Sequence, residues 1–97
     1  MTAPWLRDGE AIAARSFEIV AAEARLDRFP ADVAPIAARI VHACGEPGVV
    51  DDLSWSEGAG AAAAAALAQG ATILCDARMT EAGVTRATLP AANPVLC

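Results

Sequence analysis

His42 is the only histidine of the 97-residue chain, and its place on a predicted helix makes it a candidate proton donor. At about 100° per residue, His42 falls almost opposite Ile40, which lies on the predicted core face. Its neighbours on the outer side are Pro35, Ala38 and Arg39. The histidine also lies in the last helical turn, where the negative end of the helix dipole favours a protonated imidazole. Two interpretations follow: a solvated histidine that helps to cap carbonyl groups, or a general acid that works near neutral pH.

Ser16 is a second candidate, because it interrupts an apolar stripe on another predicted helix. Ile12 and Ile19 lie on either side of it at helical spacing. A serine at such a position usually bonds to a carbonyl oxygen one turn earlier in its own helix. The alternative is that its hydroxyl faces a ligand in a cleft.

A third group of polar residues follows a predicted buried strand over residues 72–75. Asp76 falls at the carboxyl end of this strand, and residues 77–81 are predicted to form a short helix. Thr85 and Arg86 lie in the loop that comes next. Because ligands of open α/β sheets bind outside the carboxyl ends of the strands, this acid and these two donors predict a ligand site.

The elements that position these residues follow from apolar spacing and local capping signals. Three longer helices are predicted over residues 8–26, 31–43 and 59–69. Asp8 caps the first helix, Gly45 ends the second in a left-handed conformation, and residues 54–57 form a capping box for the third. A short strand is possible over residues 49–55, and an apolar run that looks like the start of another strand begins at residue 93.

The second helix is predicted to bury one apolar face against the core. The residues on that face are Val33, Ile36, Ala37, Ile40 and Cys44. The three cysteines, Cys44, Cys75 and Cys97, have no metal-ligand spacing, so we expect buried free thiols in a reducing compartment.

Composition excludes several classes of protein. The net charge is −5 and there is no basic patch, which argues against binding to nucleic acid or to an anionic membrane surface. The alanine tract is too short to span a membrane, and the N-terminal residues lack the apolar core of a signal peptide. We therefore expect a cytoplasmic protein.

Aromatic residues make up only 4% of the chain, so the core is thin and apolar faces are expected to remain for another segment or subunit.

A glycine pattern at residues 58–63 offers a different function, namely dinucleotide binding. Gly58 and Gly60 formally match a phosphate-binding fingerprint, and Asp76 follows at the end of the next predicted strand. That motif needs a buried apolar strand directly before it, whereas residues 49–55 contain two aspartates. The bare pattern is weak evidence.

Six short motifs, in order over nearly the whole chain, resemble those of the precorrin-8X methylmutases (precorrin isomerases) of cobalamin biosynthesis. They are Arg7-Asp8-Gly9-x-x-Ile12, Arg15-Ser16-Phe17, Arg39-Ile-Val-His42-Ala-Cys-Gly45, Gly70-Ala-x-Ile-Leu-Cys-Asp76-Ala, Gly83-Val-Thr-Arg-Ala-x-Leu-Pro90 and Asn93-x-Val95. Ala21 and Arg25 depart from the family, which usually has an arginine and an acid there.

The resemblance implies a flavodoxin-like three-layer α/β/α fold with a parallel sheet, and a homodimer that binds its tetrapyrrole at the subunit interface. The implied reaction moves a methyl group from C11 to C12 of precorrin-8X, or of its cobalt-loaded form, without a metal or organic cofactor. His42 matches the catalytic histidine that exchanges a proton with the macrocycle. The positions that correspond to substrate contacts or to the same pocket are Arg15, Ser16, Arg39, Asp76, Thr85 and Arg86.

The resemblance also implies that family members continue well past residue 97. We therefore expect residues 1–97 to form the N-terminal part of one methylmutase domain, as a fragment, a truncated product or half of a split protein. Two functions stay open: the isomerase itself, or a non-catalytic module that binds the tetrapyrrole or assists assembly.

Overall fold

The computed structural model describes residues 6–97, which divide into two compact units, residues 6–57 and Gly58–Cys97. Each unit is described by itself. In the first unit two α-helices pack against each other, with short 3₁₀ turns between and after them. In the second unit two short strands form a parallel sheet, with helices before and between them. Within residues 6–97, no helix combines the length and apolar character needed to cross a membrane.

Helix α1 spans Gly9–Glu23 and begins as predicted. The side chain of Asp8 accepts a hydrogen bond of 3.0 Å from the backbone N–H of Ala11, which satisfies one of the free donors at the helix start. The helix ends earlier than its apolar spacing indicated, because Ala24 adopts an extended conformation and Leu26–Arg28 forms a 3₁₀ turn.

Helix α2 spans Ala34–Cys44 and begins three residues later than predicted. Pro35 lies in its first turn, where the missing N–H of proline costs nothing. Gly45 ends the helix with φ of +72°, and its N–H donates to the carbonyl oxygen of Val41 at 2.7 Å. The left-handed cap predicted at this glycine is confirmed, since this conformation strains a residue with a side chain.

The apolar core of the first unit is built from small residues. It consists of Val20, Ala24, Phe29, Val33, Ala37, Val41 and Val50. From the N-cap of α2 onward the buried residues repeat every fourth position, at Val33, Ala37 and Val41. In contrast, Ile36 is 45% and Ile40 36% exposed. The predicted core face was therefore wrong for the two isoleucines and for Cys44, which is exposed. Small side chains let helices approach closely, so the helix turns its alanine and valine row inward.

Residues 47–52 form a 3₁₀ helix, Pro47–Asp52, and the strand suggested for residues 49–55 is wrong. Val50 enters the core, while Asp51 points outward to two arginines. The carboxylate of Asp51 lies 2.7 Å from the guanidinium of Arg25 and 2.6 Å from that of Arg28. These ion pairs attach the 3₁₀ helix to the turn that follows α1.

The second unit begins with helix α3, Ala59–Ala68, close to the predicted bounds. The capping box predicted over residues 54–57 is absent, because Gly58 precedes the helix in a left-handed conformation with φ of +75° and no side chain caps the first turn. After strand β1, Ile73–Leu74, a short helix α4 spans Arg78–Gly83, as the sequence indicated. A 3₁₀ turn, Arg86–Thr88, then leads towards strand β2, Val95–Leu96.

Strands β1 and β2 pair in parallel, with Ile73 opposite Val95 and Leu74 opposite Leu96. The N–H of Ile73 donates to Pro94 at 2.8 Å, and that of Cys75 donates to Leu96 at 2.7 Å. Leu74 is 79% and Leu96 53% exposed, while Ile73 and Val95 on the other face are half-buried. The expectation of a buried first strand was therefore wrong. A parallel pair with helical segments between its strands is compatible with the predicted α/β class.

Asn93 fixes the approach to β2. It is the one buried polar side chain among the described residues, and its amide group donates to the carbonyl oxygens of Leu67 at 2.9 Å and Ala71 at 2.8 Å. Its side-chain oxygen accepts from the N–H of Ala91 at 3.2 Å. The sequence motif Asn93-x-Val95 thus contains the residue that joins the end of α3 to the second strand.

Candidate active site

Ser16 and His42 meet where α1 packs against α2. The hydroxyl oxygen of Ser16 lies 2.7 Å from Nδ1 of His42, at hydrogen-bond distance, although 26 residues separate them in the chain. His42 is exposed and Ser16 half-buried, so the pair lies at the surface of the first unit and not in its core. The prediction that His42 points away from the core is confirmed.

The side chain of Ser16 thus bonds to a residue of another helix, and no bond from it to the backbone of its own helix occurs among residues 6–97. That its hydroxyl faces a ligand stays a prediction. A hydroxyl both donates and accepts hydrogen bonds. Ser16 can therefore donate to Nδ1 of a neutral imidazole, or accept from Nδ1–H of a protonated one. The ring keeps this bond whether or not Nε2 holds a proton, and no hydrogen bond from residues 6–97 occupies Nε2.

Phe17 holds the same imidazole from a second direction. Its ring stacks on that of His42 with 4.5 Å between centroids and 14° between planes. The guanidinium carbon of Arg39 lies 5.3 Å from the centroid of the Phe17 ring, within the range of a cation–π contact. Arg39 and His42 are three residues apart on α2, so one aromatic ring contacts both.

A groove with a volume of about 520 Å³ opens beside the histidine. Most of its walls are apolar, with His42, Ser16, Arg15 and Glu23 as the polar members. The remaining lining residues are Leu6, Ile12, Ile19, Val20, Val41, Gly45 and Pro47. Ile12 and Ile19, which the core does not use, therefore form part of its wall. A mostly apolar concavity with a few polar groups is typical of a small-molecule site.

Arg15 lies at the groove, as the predicted substrate contact requires. Its guanidinium pairs with Glu18 at 2.9 Å, and both side chains are more than 60% exposed. Such an exposed pair holds the arginine only weakly. Arg15 can therefore exchange its partner for a ligand carboxylate.

The other three predicted site residues, Asp76, Thr85 and Arg86, belong to the second unit. Asp76 is exposed and follows β1 after one residue, as the sequence indicated. Thr85 and Arg86 are also exposed, at the start of the 3₁₀ turn, where the backbone carbonyl of Thr85 accepts from the Thr88 hydroxyl at 2.9 Å. Their part in a site stays a prediction.

Two further expectations do not agree with the structure. None of the three cysteines is buried: Cys44 and Cys97 are exposed and Cys75 is half-buried. The glycine fingerprint at residues 58–63 lacks its strand, since the segment before it is the 3₁₀ helix Pro47–Asp52 and then irregular chain. Without that strand the pattern loses the geometry that places a pyrophosphate on a helix start.

Phe17 was not among the predicted site residues, although Ser16 and His42, which lie beside it, both were. The available signal was the position directly after Ser16, in a chain with only two phenylalanines. Helical spacing alone could not show that this ring crosses to α2.

Comparison with known proteins identifies one family. The family model described as Precorrin-8X methylmutase matches residues 11–97. A precorrin-8X methylmutase of Pseudomonas aeruginosa is 59% identical over 93 residues, which cover 96% of this chain and 45% of that protein. A precorrin-8X methylmutase of Sinorhizobium is 50% identical over 93 residues, 96% of this chain and 44% of that protein. The chain thus spans less than half the length of these curated relatives.

Proposed function

The chain belongs to the precorrin-8X methylmutase family, and on that premise we propose that it carries the proton-transfer half of the methylmutase site. The proposed reaction moves the methyl group from C11 to C12 of precorrin-8X and yields hydrogenobyrinic acid. His42 is the proposed proton donor and acceptor. The observation that carries this proposal is the hydrogen bond of 2.7 Å between Ser16 and Nδ1 of His42, beside an apolar groove that His42 lines. No residue from 6 to 97 forms a hydrogen bond with Nε2.

The chemistry needs an acid–base group more than any other kind of residue. Substrate and product are isomers, so the migrating methyl group and its bonding electrons stay within the macrocycle. The conjugated ring must still gain a proton at one position and lose one at another for the shift to proceed. A single group that both gives and takes a proton near neutral pH can perform both steps, and histidine is suited to this.

The Ser16 hydroxyl supports this role because it can reverse its own hydrogen bond. When the protonated ring gives up the proton at Nε2, Nδ1–H remains the donor to the hydroxyl oxygen. In the neutral tautomer that keeps Nε2–H, the hydroxyl is the donor to Nδ1. The ring orientation survives the transfer in either case. A fixed orientation of the imidazole raises the rate of proton transfer, because the reacting groups start at the required distance.

The substrate carries several carboxylates on its rim, and the arginines around His42 match that charge. Arg39 lies one helical turn before His42, and Arg15 lies at the groove. Arginine binds carboxylates through paired, charge-assisted hydrogen bonds. We further propose Arg86 and Thr85 as donors to the substrate rim and Asp76 as an acceptor.

The proposal extends to the complete fold and assembly. A parallel pair of strands normally has both faces covered, and the exposed Leu74 and Leu96 leave one face open in this chain. This supports a flavodoxin-like sheet completed by further polypeptide of the relatives' type. Exposed isoleucines on both helices of the first unit support a homodimer with the tetrapyrrole at the interface.

The test is to mix the purified chain with precorrin-8X and to follow the absorption spectrum. We expect a spectral change on binding and formation of hydrogenobyrinic acid that His42→Gln reduces by roughly 100- to 10,000-fold, the usual contribution of a general acid or base. The Pseudomonas aeruginosa relative serves as the active control. Binding without product would favour the non-catalytic module, and an unaltered rate in His42→Gln would contradict the catalytic role.

A further inference from the structure

Phe17 is an aromatic residue that the apolar core does not use. The other phenylalanine, Phe29, is 7% exposed and packs in the core beside Trp55. Phe17 is only half-buried, and its ring contacts the imidazole of His42 and the guanidinium of Arg39. An aromatic ring that meets a histidine and an arginine outside the core fits a role in the site better than one in packing.

The contacts of Phe17 and of its neighbour Ser16 restrain His42 in complementary ways. The hydrogen bond to Nδ1 limits rotation of the imidazole within its own plane. The nearly parallel stacking, with 14° between the planes, limits tilting of the ring out of that plane. Two successive residues of α1 together therefore fix the direction in which Nε2 points.

We infer that Phe17 is a positioning residue for proton transfer by His42, an inference that rests on the function proposed above. Its ring keeps the plane of the imidazole fixed while the proton leaves and returns. It also sets the place of Arg39 relative to His42, because both contact the same ring from α2. The distance between a bound rim carboxylate and the proton-transfer position is then fixed by the protein.

The aromatic character of Phe17 matters, and not only its size. A neutral imidazole stacks on a phenyl ring as an aromatic pair, and a protonated one is attracted to the same face as a cation. An aliphatic side chain of similar volume offers neither contact. Phe17, like the Ser16 hydroxyl, thus holds His42 in both protonation states.

The single histidine makes the positioning role directly observable by NMR in the full chain. A stacked phenyl ring moves the resonances of the imidazole ring protons upfield through its ring current. We expect Phe17→Leu to move the two His42 ring-proton resonances downfield and to remove their cross-peaks with residue 17. Phe17→Tyr should keep both signatures. Unchanged His42 resonances in a folded Phe17→Leu chain would overturn the inference, and circular dichroism establishes folding.

Kinetics with precorrin-8X provides the second measurement. A small displacement of a reacting group lowers the reaction rate on the order of 100-fold. We therefore expect kcat to fall about 10- to 100-fold in Phe17→Leu, with little change in KM. Phe17→Tyr should restore kcat. A Phe17→Leu variant with normal kcat would overturn the positioning role even if the NMR signals move. If the unmodified chain neither binds nor converts precorrin-8X, the proposed function fails, and the NMR comparison still decides whether Phe17 holds the ring.

Discussion

The Ser16 hydroxyl and Nδ1 of His42 lie 2.7 Å apart, across the contact between the two helices of the first unit. The hydrogen bond joins the first helix of the chain to the last turn of the second. The serine is half-buried and the histidine exposed, and both line the groove. No residue from 6 to 97 bonds to the other imidazole nitrogen.

Removing the Ser16 hydroxyl should weaken proton transfer without unfolding the chain. A hydrogen bond of this kind contributes about 0.5–1.5 kcal/mol, so we expect Ser16→Ala to lower kcat by roughly 2- to 10-fold. The ¹⁵N resonance of His42 Nδ1 should move as its partner is lost. Ser54→Ala is the matched control, because Ser54 is an exposed serine outside the site. A normal rate and an unmoved Nδ1 resonance in Ser16→Ala would show that the hydroxyl has no part in the reaction.

Arg39 should act on substrate affinity more than on rate. It makes no ion pair with any residue from 6 to 97, so its guanidinium is available to a carboxylate. A hydrogen bond to a charged group contributes about 1.5–3 kcal/mol, so Arg39→Ala should raise the Kd for precorrin-8X by roughly 10- to 100-fold. Fluorescence or absorbance titration measures this value. Arg39→Lys should recover only part of the affinity, because lysine lacks the paired donors.

The matched control for Arg39 is Arg78→Ala. Arg78 is also exposed, but it lies in the second unit and pairs with Glu81. We expect its replacement to leave substrate affinity unchanged. Equal losses of affinity in the two variants would indicate that general charge attraction, and not a specific contact, explains the effect of Arg39.

The Asp51 carboxylate should link the stability of the first unit to pH. The hydrogen bond from Arg28 is the largest cause that holds the pKa of Asp51 below its ordinary value of 3.8, and Arg25 adds to it. The unfolded chain therefore binds the proton more readily than the folded one. The stabilisation is fully present above pH 3.8 and is lost as the pH falls through the lower pKa of the folded state.

We expect Asp51→Asn to have a lower Tm than the unmodified chain at pH 7, with the difference shrinking as the pH approaches 3. The effect is small, because the ion pairs are exposed to solvent. Thermal melts followed by circular dichroism across this range measure it. Asp52→Asn is the control, since no arginine in the described part of the chain pairs with Asp52. A Tm difference that persists unchanged at pH 3 would disprove the linkage.

Asn93 should determine the stability of the parallel strand pair. Asn93→Ala removes the side-chain donor to the carbonyl oxygen of Ala71 and one of the donors to that of Leu67, which still accepts from the N–H of Gly70. A buried polar group left without its partner costs about 1–3 kcal/mol. Hydrogen exchange at the amides of Ile73 and Cys75, which bond across the sheet, should accelerate. The amide of Gly45, at the end of α2 in the first unit, is the internal control. Equal acceleration at all three amides would indicate general destabilisation instead.

Local signals predicted the elements that depend on local chemistry. Asp8 caps α1 and Gly45 ends α2 because each effect needs only the neighbouring backbone. The strand expected at residues 49–55 failed for the opposite reason. Val49 and Val50 suit a strand, but Val50 fills the core from a 3₁₀ turn while Asp51 is held outward by two arginines from a distant part of the chain. Burial and ion pairing overrode the local preference.

The amino-acid sequence by itself determined the family, the position of His42 away from the core face, and where the two helices of the site begin or end at Asp8 and Gly45. These properties depend only on residue identity and on helical geometry. Tertiary structure alone decided that Ser16 is the partner of Nδ1, that Phe17 stacks on the ring, and that valine and alanine face the core in place of isoleucine. Each of those outcomes depends on how closely α1 approaches α2 and at which rotation. That approach is set by packing between residues far apart in the chain, which no periodicity within one helix contains.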